Sequence, residues 1–287
     1  MLKLQSETER ISITAIILTQ DEAVNICACI NALARVEDVV IVDSGSKDKT
    51  LALAQQVRPD VTIFEHPFQD FGAQRNWALD HTAPRHDWVL FIDADEFCDP
   101  ELLDEIAAFV ATPGKSVGGF IAGRNVFKGT WLRYCTMYPS YQLRLLKRGQ
   151  VQYRREGHGQ REVTDGALHY FQHGWRHEGF SKGIDQWIDR HNHYSSDEVE
   201  LVLRLRKESL RLADCLFAEP VARRRALKVL VARLPARPLL GFLYKYVWRR
   251  GFLDGRAGLH YCLLLMAHDL HICVKLWERQ RADGGLR

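Results

Sequence analysis

The stretch Trp88-Val89-Leu90-Phe91-Ile92-Asp93-Ala94-Asp95-Glu96 joins an unbroken apolar run to three carboxylates. Val89 to Ile92 show no polar alternation, as expected of a strand covered on both faces. Successive side chains of a strand point to opposite faces, so Asp93 and Asp95 would share a face for as long as strand geometry lasts. Ligands of open α/β sheets collect at the carboxyl ends of strands, where these acids lie. Two acids on one side repel unless a cation or a proton sits between them. A hard divalent ion, held by one or two carboxylates and by substrate phosphates, meets that need. The bland alternative is an acidic loop that caps the next helix, since Asp99-Pro-Glu-Leu-Leu-Asp-Glu105 reads as a helix start with Asp99 as cap.

Working outward, Ile11–Leu18 and Val39–Val42 read as short buried strands, each followed by a helical pattern, over about 23–33 and 50–56. Val61–Phe64 reads as a third strand, and Phe71-Gly-Ala-Gln-Arg-Asn-Trp-Ala-Leu79 as the start of a helix leading to Val89–Ile92. Strands alternating with helices predict an α/β fold with a mainly parallel sheet. Thr19, Asp43, Asp93 and Asp95 then all fall at carboxyl ends of strands, which predicts one common cleft. Leu18-Thr-Gln-Asp-Glu-Ala23 contains no glycine, so the first turn is neither a dinucleotide fingerprint nor a Walker loop.

At 287 residues the chain can hold one large or two modest domains. Residues 1–200 carry 21 Lys+Arg against 29 Asp+Glu, whereas residues 201–287 carry 18 against 7. This asymmetry points to a basic appendage facing an anionic partner, a membrane surface or nucleic acid. The seven cysteines include no CxxC pair and Met1-Leu-Lys-Leu opens no signal-peptide pattern, so reduced thiols and a cytoplasmic setting are expected. No uninterrupted apolar run approaches the ~20 residues of a membrane span. Ala257–Trp277 is broken by His260, His268, Asp269, His271 and Lys275, and a transmembrane helix is not expected.

Three segments carry a family resemblance: Ile16-Ile-Leu-Thr-Gln-Asp-Glu-Ala-Val-Asn25, Val42-Asp-Ser-Gly-Ser-Lys-Asp-Lys-Thr50 and Asp93-Ala-Asp-Glu96. In order and spacing they resemble the successive signatures of family 2 glycosyltransferases. Phe71-Gly-Ala-Gln-Arg-Asn76 resembles a motif of a subgroup of bacterial lipopolysaccharide-core and exopolysaccharide enzymes. The resemblance covers about residues 11–200. It implies a GT-A fold, an inverting, metal-dependent transfer of a hexosyl unit from a nucleotide-diphosphate sugar, and Mg²⁺ or Mn²⁺ as cofactor. By position, it implies that Thr19 and Glu22 line the nucleoside pocket, and that Asp43 accepts a hydrogen bond from the base. Asp93 would contact ribose or diphosphate, and Asp95 would be the catalytic metal ligand. Ser44, Gln74 and Arg75 complete the nucleotide-sugar set, with Arg75 on a diphosphate oxygen or simply on a surface acid. Singly, Glu22 could be only a helix-start acid and Asp43 only a turn former.

Residues 115–200 are expected to carry the acceptor side. Gly119–Phe127 and Tyr141–Lys147 read as strands, and Trp131-Leu-Arg-Tyr-Cys-Thr-Met-Tyr138 supplies aromatics for sugar stacking or core packing. An inverting transfer needs one general base for the acceptor hydroxyl. In Glu156-Gly-His-Gly-Gln-Arg-Glu162 the base is assigned to Glu162, with His158 on metal or diphosphate and Glu156 and Asp165 as runners-up; the alternative is a polar turn. His169, His173 and His177 recur at four-residue spacing, but Gly174 argues for strand and loop rather than a helical metal cluster. A helix within 180–194, capped by Ser181, would present Ile184, Trp187, Ile188 and His191 on one face.

Two domains are expected, a catalytic one over 1–200 and a basic helical one over 201–287. In the latter, apolar and aromatic residues beside Lys/Arg, as in Leu239-Leu-Gly-Phe-Leu-Tyr-Lys-Tyr-Val-Trp-Arg-Arg250, suggest a helix lying on an anionic membrane surface. No nucleic-acid module is recognisable. The expected activity is glycosyl transfer to a lipid-linked saccharide acceptor, at the inner face of the cytoplasmic membrane. Polyprenyl phosphate as acceptor, or a catalytically silent scaffold, are the alternatives.

Overall fold

A computed structural model describes residues 9–156, 159–234 and 236–282. They form two compact units: one comprises the residues up to Trp131 with Tyr138–Lys182, the other Leu132–Met137 with the residues from Gly183 onward. The boundary expected near residue 200 falls inside a continuous helix, so the contacts divide the chain ahead of that helix instead.

The first unit opens with β1 (Ile11–Thr19), α1 (Ile26–Ala32), β2 (Val36–Asp43), α2 (Thr50–Val57), β3 (Thr62–Glu65), α3 (Phe71–His81) and β4 (Trp88–Asp93). It continues through β5 (Glu96–Cys98), α4 (Pro100–Ala111), β6 (Ser116–Ala122), β7 (Arg124–Phe127), β8 (Thr130–Trp131) and β9 (Tyr141–Lys147). The hairpin β10 (Gln152–Glu156) and β11 (Gly159–Val163) follows, then β12 (Ala167–Tyr170) and β13 (Trp175–His177). The central sheet has the order β12-β6-β9-β4-β1-β2-β3. β1, β2, β3 and β4 run parallel, and β9 is antiparallel between β4 and β6. This is the α/β sheet that the alternating pattern predicts.

Ile13, Ala15 and Ile17 of β1 pack with Leu90 and Ile92 of β4 under α1 and α4, while Ile16, Val89 and Phe91 face Ala78 and Tyr153 on the other side. Both faces are therefore covered, which explains the unbroken apolar runs. Asp70 caps α3 by accepting from the Ala73 N–H. Asp99 occupies the cap position of α4 but makes no capping bond, and its carboxylate pairs with Arg124. β4 ends at Asp93, so Asp95 lies in a turn and the shared strand face stops two residues earlier than the alternation suggests. A second sheet, β5-β13-β7-β8, is laid over this turn region. Gly174 allows it, since a Cβ there would strike the Ala122 carbonyl.

The second unit is helical: α5 (Ile184–Lys207), α6 (Asp214–Phe217), α7 (Pro220–Arg233), α8 (Arg237–Leu243) and α9 (Gly255–Ala282). A π-turn (Tyr244–Trp248) and a 3₁₀ turn (Gly251–Asp254) separate the last two. Gly183, not Ser181, precedes α5, and Ser181 accepts a hydrogen bond from Asn25 instead. Trp187 is buried but Ile184 and Ile188 are exposed, so the expected apolar face is only partly used. Val199, Val202, Ala232, Ile272 and Leu276 form the core of this unit. Gly251–Ala282 is long and apolar enough to cross a membrane by length and composition, with a mean hydropathy of 1.3 over its richest window. It is not an uninterrupted apolar run; its polar residues are spaced widely enough to leave the average high.

Candidate active site

The acidic turn after β4 is wrapped in cations. Asp93 Oδ1 accepts from Arg75 Nη2 at 3.0 Å and Asp93 Oδ2 from Arg144 Nη2 at 2.9 Å. Arg144 Nη2 also donates to Glu96 Oε1 at 2.6 Å, and the Asp93 N–H donates to Glu96 Oε2 at 3.0 Å. Burial alone would raise the Asp93 carboxyl, but the guanidiniums of Arg144 and Arg75 outweigh it and hold Asp93 well below the usual carboxylate range. Glu96 is pushed up to about 7 by its burial, with Arg144 opposing and Asp93 adding to the rise. Arg75 Nη1 reaches on to Gln160 Oε1 at 2.8 Å, tying α3 to the β10–β11 hairpin. Arg75 thus sits on Asp93, an acid of the turn itself rather than a surface acid.

Asp95 faces His177. Nε2 of the imidazole lies 3.3 Å from Asp95 Oδ2, and Nδ1 lies 2.9 Å from Asn125 Oδ1. Burial would lower the imidazole, but Asp95 first, then Glu96 and Asp93, bring it up to about 9. The pairing of β13 with β5, which sets His177 opposite Glu96, makes this contact. His177 is therefore not one of three equivalent histidines: His169 stacks on Phe109 and His173 pairs with Glu105.

The ends of β1 and β2 form the adjoining rim. Thr19 is buried, its Oγ1 has no hydrogen-bond partner, and its carbonyl accepts from the Ser44 N–H. A buried hydroxyl without a partner is uncommon and marks this rim as a place to look for function. Asp43 is buried and takes the Gly45 and Ser46 N–H groups on Oδ2 and the Ser46 hydroxyl on Oδ1, so it does build the turn. Gln74 reaches Ser44 Oγ at 3.2 Å and His66 Nδ1 at 2.7 Å, which places Gln74 and Ser44 in one network at this rim. Glu22 bonds Lys182 Nζ at 2.5 Å and Asn25 Nδ2 at 2.6 Å. Its carboxyl is raised by burial, with Lys182 opposing.

Glu162 lies on β11, opposite the buried Tyr153 and two residues from Gln160. By strand alternation it shares the hairpin face that Gln160 presents to Arg75. Asp165 is exposed beyond the end of β11. His158 lies outside the described residues, as does the Glu156 side chain.

Among the described residues, no three His, Cys, Asp or Glu side chains converge as a metal group. The pair Asp95–His177 nevertheless fits a divalent ion. It offers a carboxylate oxygen and an imidazole nitrogen whose other ring nitrogen is held by an amide oxygen, the arrangement that orients ligating histidines. Remaining positions would go to water and to substrate phosphates.

Arg144, His177, Asn125 and Lys182 are the site residues that sequence patterns missed. Arg144 left a trace as a charge inside the buried run Leu143–Leu146, and His177 only as one member of the four-residue histidine series.

The glycosyl transferase family 2 model matches residues 14–174. The lipopolysaccharide core biosynthesis glycosyltransferase LpsC of Rhizobium meliloti (strain 1021) is 29% identical over 147 residues, which are 50% of this chain and 54% of that protein. An uncharacterized glycosyltransferase of Rickettsia bellii (strain RML369-C) is 38% identical over 101 residues, 35% of this chain and 33% of its own. The chain therefore spans about half of the first relative and a third of the second. Among solved structures, the mannosyltransferase PcManGT from Pyrobaculum calidifontis in complex with GDP-Man and Mn²⁺ is 19% identical, with 94% of this chain and 88% of that one covered and a TM-score of 0.48. The family match takes in β1 through the acidic turn and on to Gly174, and on that span the chain belongs to glycosyl transferase family 2.

Proposed function

We propose that the chain transfers one sugar, with inversion, from a nucleotide-diphosphate sugar to a hydroxyl of a lipid-linked saccharide in bacterial lipopolysaccharide or cell-surface polysaccharide synthesis. The carrying observation is the Asp93–Asp95–Glu96 turn at the carboxyl end of β4, braced by Arg75 and Arg144 and faced by His177. The relation to LpsC supports the lipopolysaccharide setting.

Thr19, Asp43, Ser44 and Gln74 form the rim for the nucleoside, with the Thr19 hydroxyl as the unsatisfied group. Asp95 and His177 would hold Mg²⁺ or Mn²⁺, which supplies charge neutralisation for the departing diphosphate. Arg75 and Arg144 keep Asp93 ionised and fixed, so the turn does not reorganise as charge develops. Glu162 takes the proton of the acceptor hydroxyl as that oxygen bonds to the anomeric carbon. The electron pair of the breaking bond leaves with the nucleoside diphosphate. Acceptor lipid places the protein on the inner face of the cytoplasmic membrane.

The test is release of nucleoside diphosphate from a panel of nucleotide sugars, with lipid-linked saccharide acceptors, with and without Mn²⁺. One donor consumed only with metal and acceptor supports the reading. No turnover and no nucleotide binding across the panel would overturn it in favour of a non-catalytic role.

A further inference from the structure

We propose that residues 236–254 dock the chain on an anionic lipid surface by lying in its headgroup region, while α9 stays outside the bilayer. The inference rests on the reading above only in taking a membrane as the place where the acceptor is met.

Leu239, Leu243 and Val247 recur every four residues, with Leu240, Tyr244 and Trp248 beside them, and all six are exposed. They form one stripe along α8 and the π-turn, and Trp248 is 80% exposed. Phe252 and Leu253 extend it past Gly251. A large indole so exposed next to an apolar stripe suits the boundary between headgroups and acyl chains. Apart from Asp269 of α9, which Arg237 neutralises, the charge around the stripe has one sign. Lys245, Arg249 and Arg250 lie in the segment, and its single acid, Asp254, is buried and accepts the N–H groups of Arg133, Tyr134 and Cys135. What faces outward is apolar and cationic, complementary to anionic headgroups.

α9 has the length to span but is committed elsewhere. Ile272 and Leu276 fill the core of the helical unit, Lys275 Nζ bonds Ser195 Oγ at 2.8 Å, and Asp269 pairs with Arg237 at 2.9 Å. Insertion would break these contacts and carry their charges into hydrocarbon. α8 with the π-turn is too short to cross, since a span needs about 20 residues. It can only lie along the surface.

The experiment is co-sedimentation of the full chain with vesicles of phosphatidylcholine alone or mixed with phosphatidylglycerol. Expected are binding to the anionic vesicles, weakening with salt, and a loss of roughly tenfold or more in Val247→Ser/Trp248→Ser. The control Leu270→Ser/Val274→Ser, on the exposed face of α9, should bind like wild type. Quenching of tryptophan fluorescence by brominated lipid should fall in Trp248→Phe if that indole enters the interface. Wild-type binding by the Val247/Trp248 variant, release by the α9 variant, or resistance of the native protein to alkaline extraction as for a spanning helix would each overturn the proposal. Nucleotide binding is measured on the same samples, so vesicle binding without any nucleotide effect would leave the docking intact and sink the transferase reading instead.

Discussion

His177 Nε2 lies 3.3 Å from Asp95 Oδ2, while its Nδ1 is held by Asn125 at 2.9 Å. On the proposed reading the imidazole, fixed at one nitrogen, shares a cation with the carboxylate that faces the other. Asn125→Ala should leave the fold intact and weaken Mn²⁺ binding by roughly 10- to 100-fold, because the ring loses its orientation. Calorimetric titration with Mn²⁺ in the presence of nucleoside diphosphate reads this directly, and unchanged affinity would remove His177 from the metal pair.

The same contact makes stability depend on pH in the metal-free protein. His177 is raised from 6.5 to about 9 by Asp95 and the neighbouring acids, against its burial. A raised folded pKa gives stability that is full below the unfolded value and lost as pH rises through the folded one. Melting curves in chelator should therefore lose stability between about pH 6.5 and 9. His177→Gln should flatten that slope, and an identical slope in the variant would contradict the assignment.

Arg144 compensates two acids, the buried Glu96 and the part-buried Asp93, through one nitrogen. Arg144→Met leaves Glu96 without a counter-charge and Asp93 on Arg75 alone, and should cost about 3 kcal/mol, less where Glu96 can take up a proton, read by denaturant titration. Adding Glu96→Gln should recover part of that loss, since one stranded acid is gone. A single substitution within about 0.5 kcal/mol of wild type would show that the network is not what holds the turn.

Glu162 is half-exposed on the hairpin. Glu162→Gln should lower kcat by about 10²- to 10⁴-fold with little change in donor binding or melting temperature. Retained kcat would move the base to Asp165 or Glu156.

How much of this was legible beforehand follows from range. The β1–β4 half of the sheet rests on local periodicity, and its apolar runs at 11–18, 39–42 and 89–92 appear as strands close to where the pattern puts them. Thr19, Asp43 and Asp93 fall at carboxyl ends of adjacent strands for the same reason. Arg144 and His177 were not readable as site residues, because β9 and β13 reach the turn by antiparallel pairing across long sequence separations. The Glu22–Lys182 pair spans a comparable distance. Asp43 shows the limit of motif reading, since its carboxylate already accepts three hydrogen bonds from its own turn.

The most direct measurement is thermal stability of wild type and Asp95→Asn against nucleoside diphosphates, each with and without Mn²⁺. The account predicts that one nucleotide at about 100 times its Kd adds roughly 2.7 kcal/mol to wild type only when metal is present, and that Asp95→Asn, measured against its own ligand-free melting temperature, loses this gain. Equal stabilisation of the variant, or stabilisation of wild type that ignores metal, would contradict the claim that the acidic turn holds a metal–diphosphate.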